Sequence, residues 1–167
     1  MTEPRTDPAA VADERASLTG WLDYHRATLL QKCEGLTDDQ LRRPMVPSGT
    51  SLLGLVKHLT EVEHGWFVRT FAQLDEPYLF ATDDDPDADM AATAQETTED
   101  LIAGYRRACA RSREIVAAAA SLDDVVPHRR LGSVDLRWIL THMVEETARH
   151  NGHADILREL LDGSVGD

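Results

Sequence analysis

Apolar residues recur every three to four positions in four separate stretches of this chain, and no stretch of useful length alternates with period two. That spacing predicts an all-α fold, because it gathers hydrophobic side chains onto one side of a 3.6-residue turn. The first helix is expected roughly from Ala9 or Asp13 to Cys33, with Leu18, Trp21, Leu22, His25, Leu29 and Leu30 on or near one stripe and Gly35 beyond its end. Thr37-Asp38-Asp39-Gln40 has the spacing of a capping box opening one short turn, which Pro44 stops. Ser51 then caps a second helix over about 51–74, with Leu52, Leu55, Val56, Leu59, Val62, Trp66 and Phe71 apolar and Glu61, Glu63, Arg69 and Gln73 polar. A third helix follows Thr97 or Thr98 and reaches about Ala120, and a fourth starts at a Ser133 cap and ends near Leu161, before Gly163.

Between the second and third helices lies a long connection, Asp75 to Glu96, with Pro77, Pro86 and Asp83-Asp84-Asp85 and little periodicity. At about 3.3 Å per residue it can run the length of a helix, so the second and third helices are expected to be parallel. The architecture is then an up-down-down-up four-helix bundle with a crossover between helices two and three. The acidic run lacks the glycine and the distant glutamate of a calcium loop and reads as solvated connection. At 167 residues the chain fits one domain, residues 1–167, whose first eight residues are expected to be flexible. Cys33 and Cys109 form no C-x-x-C pair, which suits a reducing cytoplasm. No apolar run suggests a leader or a membrane span, and a net charge of −13 without a basic run disfavours nucleic acid as a partner.

The chemistry concentrates in the fourth helix. At 100° per residue His142, Glu146, His150 and His153 fall within about 80° of one another. Such a stripe of imidazoles and a carboxylate demands a hydrogen-bond network or a cation. One ion cannot take all four, since His142 and His153 lie about 16 Å apart along the axis. The one-turn pairs His142/Glu146, Glu146/His150 and His150/His153 remain equal on spacing alone. A second helix has to complete the set. His58 sits among Leu55, Leu59 and Val62 and is expected to face inward, whereas His64, about 120° away, falls beside Glu61 and Glu63 in a more polar sector. Two histidines and a glutamate with a fourth position open have the composition of a catalytic zinc site.

The plainer alternative is a solvated stripe with i,i+4 ion pairs, which Arg149, Asp155 and Arg158 would suit. Gly152 in mid-helix is expected to mark either close helix approach or ligand access. Trp21, Trp66 and Trp138 read as core or site walls. Serine-hydrolase elbows, glycine-rich phosphate loops and activated cysteines have no matching pattern here.

Leu55-Val56-Lys57-His58-Leu59 with Glu61 to Phe67, then Leu136-Arg137-Trp138 and Glu146-Thr147-Ala148-Arg149-His150-Asn151-Gly152-His153-Ala154-Asp155, resembles the DinB-like superfamily across most of the chain. Glu146 stands where most of those proteins have the first histidine of an H-x-x-x-H pair. This departure resembles the mycothiol-dependent branch of S-transferases and maleylpyruvate isomerases. The resemblance implies metal ligands at His58, Glu146 and His150, and leaves His142 and His153 as catalytic or substrate-facing candidates. It further implies a divalent metal, zinc first with nickel or iron as alternatives, mycothiol as co-substrate, and a homodimer.

The expected activity is metal-dependent transfer of a small thiol, mycothiol, to an electrophilic small molecule. The metal lowers the thiol pKa, and His142, His153 or Tyr24 serves as acid or base. The alternatives are a non-catalytic, stress-linked metal-binding bundle and a thiol-dependent isomerase. The isomerase is the less close likeness, because its additional C-terminal domain has no counterpart in the sequence.

Overall fold

Helices dominate the computed structural model, which describes residues 5–166. Its elements are α1 (Glu14–Cys33), α2 (Asp38–Arg42), α3 (Leu52–Glu63) running into a π-helical segment (His64–Phe71), α4 (Thr98–Ala118), a hairpin of β1 (Val125–His128) and β2 (Gly132–Asp135), and α5 (Leu136–Asp162). The fold is therefore mainly α, with one small sheet that the apolar periodicity did not foresee. Residues 1–4 of the expected flexible terminus lie outside the described residues. Arg5 sits 4.8 Å from the ring centroid of Tyr24, and Pro8 faces Gly20.

Side-chain caps start each α-helix. Asp13 accepts from Ala16, Ser51 from Gly54 and Thr97 from Asp100, while Thr37 and Gln40 complete the capping box of α2. α5 departs from expectation: its cap is Asp135, which accepts from the Trp138 amide at 2.7 Å, and Ser133 lies in β2 opposite Pro127. The hairpin uses the residues just before the helix, so the next oxygen-bearing side chain takes the capping role. The second expected helix also changes character. From His64 its turns widen, and the Ala72 amide reaches back five residues to the Phe67 carbonyl.

α1 packs along α5, α3 along α4, and α3 also meets α1 and α5. One apolar cluster joins Leu29, Leu30, Leu52, Leu55, Leu59, Tyr105 and Leu157, and another joins Leu22, Phe67, Val116, Ile139, Leu140 and Met143. Val62 touches both clusters. α3 is buried on nearly every side, which overturns the expected polar sector: Glu61, Glu63 and His64 are 6%, 1% and 5% exposed.

Each of these buried polar groups has a partner, as burial requires. Glu63 takes both Arg26 Nε at 2.7 Å and Nη2 at 2.6 Å, joining α3 to α1. Glu61 accepts from the backbone amides of Leu79, Phe80 and Ala81 at 2.9, 2.6 and 3.1 Å. His64 Nε2 lies 3.0 Å from the Pro77 carbonyl. Lys57 Nζ donates to the Ala91 carbonyl at 3.0 Å and pairs with Glu96 at 2.9 Å. The long connection is thus fastened along α3. At Gly54 a Cβ would overlap the Met90 carbonyl oxygen, so that backbone passes where no side chain fits.

Candidate metal centre

Across the packing of α3 on α5, His58 meets Glu146 and His150. One ligand atom from each lies within 4.8 Å of the other two. Glu146 Oε1 is 3.1 Å from His150 Nε2 and 3.5 Å from His58 Nε2, and the two imidazoles meet edge to face at 4.8 Å between centroids. The pair Glu146/His150 follows from helical spacing, four residues placing both on one side of α5 one turn apart. His58 projects from α3 into the same gap. It is only half-buried, so burial is not what distinguishes it from His64; the direction in which it points is.

The donors suit a divalent cation. Two ligands, each about 2.0–2.2 Å from a tetrahedral zinc, lie ~3.3–3.5 Å apart, and the separations at Glu146 bracket that spacing. Electrostatics agree. Hydrogen bonding from His150 and then His58 holds the Glu146 carboxyl far below the ordinary carboxylate range, against the opposing effect of burial. Burial acts most strongly on His58 and would lower its pKa, but Glu146 and Asp89 together outweigh it and raise it. A cation binding here would displace the imidazole protons that hydrogen bond to Glu146 and take up the same nitrogen and oxygen lone pairs.

Asp89 was not among the residues picked out from sequence. Its Oδ2 lies 2.8 Å from His58 Nδ1, on the side of the ring away from Glu146. A carboxylate on the outer nitrogen of an imidazole ligand is the usual companion of a metal-bound histidine. The acidic run around it reads from sequence as solvated connection, and nothing in the spacing of its aspartates singles out Asp89. His150 differs: its Nδ1 is buried with no hydrogen-bond partner among the described residues.

The other histidines flank the centre without joining it. His142 rests against Trp66 at 4.8 Å and Trp138 at 5.2 Å, one turn of α5 from Glu146. Trp66 also stacks on His128 of the hairpin at 5.2 Å with 8° between planes. Beside this aromatic group lies a hollow of about 390 Å³ lined by Val62, Gly65, Trp66, Tyr78, His128 and Arg130. His153 is exposed, 5.4 Å from the His150 ring, and borders a hollow of about 230 Å³ with Ser48, Thr50 and Ile156. Tyr24 packs against Trp21 and His25 on α1.

Gly152 has nothing near its missing Cβ, so close helix approach is not its role. Trp21 and Trp138 are 46% and 42% exposed, which makes them walls rather than core. Both cysteines are buried and free; burial pushes the Cys33 thiol up to about 12 and the Cys109 thiol higher still. Neither is a nucleophile at neutral pH. No described helix is long and apolar enough to cross a membrane.

No curated protein matches the sequence. A solved structure described as the conserved protein of locus from Enterococcus faecalis superposes with a TM-score of 0.65 at 17% identity, covering 92% of this chain and 100% of that one. That likeness is one of fold. Residues 17–163 match the family model for mycothiol S-transferases, and the chain belongs to that family.

Proposed function

We propose that the chain is an S-transferase that joins mycothiol to an electrophilic small molecule at a divalent metal, zinc first, held by His58, Glu146 and His150. The observation that carries this reading is the convergence of those three ligand atoms within 4.8 Å, in a member of a mycothiol-related family. We read α1, α3 with its π-helical extension, α4 and α5 as an up-down-down-up bundle, with the connection fastened along α3 as its crossover. The buried free thiols suit a reducing cytoplasm.

A bound divalent cation would lower the pKa of a thiol from its free value of about 8.5 and so supply thiolate at neutral pH. The rest falls to the chain. Asp89 keeps the His58 ring turned toward Glu146. His142 and the exposed His153 stand on either side of the centre along α5, each a candidate to accept the thiol proton on a ring nitrogen. Trp66, Tyr78 and His128 offer flat apolar faces on which an electrophile can lie, and Arg130 adds a cation at the rim of that hollow. Neither cysteine takes part.

The test is conjugation of mycothiol to a general electrophile by metal-loaded wild type and His150→Ala, with glutathione as the control thiol. Turnover by the wild type that requires metal and falls to background in the variant is expected. A protein that binds metal yet turns over no cellular thiol would instead be a non-catalytic metal-binding bundle.

A further inference from the structure

We propose that Asp89 is a positioning residue of the metal centre, and that the connection between α3 and α4 forms part of that centre. The inference rests on the reading that His58, Glu146 and His150 hold a cation. Asp89 is 7% exposed, whereas Asp83, Asp84, Asp85 and Asp87 in the same run are exposed. A buried carboxylate is unfavourable without a partner, and the partner here is His58 Nδ1 at 2.8 Å. With the Nδ1 proton held by Asp89, Nε2 is the nitrogen turned toward the gap beside Glu146, 3.5 Å away, where a cation would replace its proton. Asp89 lies across the ring from Glu146 and is placed to orient a ligand rather than to be one.

The stretch around Asp89 is held on the same side of α3 at successive turns. Glu61 grips the amides of residues 79–81, Lys57 bonds the Ala91 carbonyl, and Gly54 admits the Met90 carbonyl. Residues 54, 57, 58 and 61 follow i, i+3, i+4, i+7 spacing, so one stripe of α3 both seats the connection and presents His58 to it. Among the described residues His150 has no equivalent support, its Nδ1 lacking a hydrogen-bond partner there. Orientation of the His58 imidazole therefore falls to Asp89, whereas His150 is met by Glu146 on its Nε2 side.

The experiment measures zinc affinity of the chelator-stripped full chain by competition with a chromophoric chelator, for wild type, Asp89→Ala, Asp89→Asn and Gly54→Ala. Thermal unfolding of each metal-free protein is recorded beside it. Asp89→Ala is expected to weaken zinc binding by about 10–100-fold, beyond whatever it removes from metal-free stability by taking a partner from His58. Asp89→Asn should fall between it and wild type, because the amide oxygen still accepts the Nδ1 proton but carries no charge. Gly54→Ala should also weaken binding by displacing the Met90 carbonyl next to Asp89. If it fails to fold, the nearly isosteric Asp89→Asn carries the test. Zinc affinity of Asp89→Ala within about threefold of wild type overturns the inference while leaving the centre intact. So does a loss confined to metal-free stability. A wild type that binds no zinc overturns both the inference and the reading beneath it.

Discussion

Replacing Glu63 with alanine leaves the Arg26 guanidinium in the core, 4% exposed, without the carboxylate that neutralises it. Burial opposes the charge of Arg26, and Glu63 is the main influence that holds it protonated. Breaking a buried pair from one side destabilises by about 3–5 kcal/mol, because the surviving charge stays desolvated. Asp23, 2.8 Å from Arg26 Nη1, supplies part of the compensation, so the lower end, about 3 kcal/mol, is expected. For a domain of this size that corresponds to a fall of roughly 6–12 °C in Tm. Thermal and urea unfolding followed by circular dichroism read it directly. The double variant Arg26→Met/Glu63→Leu should recover to within about 1–2 kcal/mol of wild type, since an apolar pair of similar volume leaves no buried charge. A single variant destabilised by less than about 1 kcal/mol would refute the reasoning, as would a double variant no more stable than the single. The pair matters to function because Glu63 sits on the helix that carries His58.

Cys33 and Cys109 should resist a chromogenic disulfide reagent in the native protein and react after denaturation, and Cys33→Ser should leave thiol conjugation unchanged; fast native labelling would contradict the burial that raises both thiols. In the metal-free protein the raised pKa of His58 gives stability that is full below about pH 6.5 and is lost as pH rises through its folded value. The lowered pKa of Glu146 gives stability present above about pH 4.5 and lost as pH falls. Tm against pH in chelator should therefore peak between those limits, and a Tm that climbs steadily from pH 5 to 9 would count against the linkage. Asp135→Ala should remove about 0.5–2 kcal/mol through loss of the α5 cap, whereas Ser133→Ala should do much less; the reverse order in urea unfolding would restore Ser133 as the cap.

Helical periodicity reveals the helices of this chain well because it reports a property repeated over many residues. The hairpin escaped it, since Val125–His128 and Gly132–Asp135 are too short to build an alternating pattern and one face is open to solvent. Polarity misled at Glu61, Glu63 and His64. Each is buried because its partner comes from elsewhere: backbone amides of residues 79–81, Arg26 of α1 and the Pro77 carbonyl. The Glu146/His150 pair was legible from its spacing, but the choice of this pair over its neighbours came from family resemblance. Asp89 was hidden because its role depends on how the connection lies on α3, a tertiary matter on which the run of aspartates is silent.

The central claim is that one divalent ion is held between α3 and α5 by two imidazoles and a carboxylate. Zinc titration of chelator-stripped protein, read by calorimetry with elemental analysis of the loaded chain, addresses it most directly. The account expects one ion per chain in wild type and its loss in His58→Ala, Glu146→Ala and His150→Ala, all three still helical by circular dichroism. Undiminished binding in any two of those variants, or no binding by wild type, would contradict it.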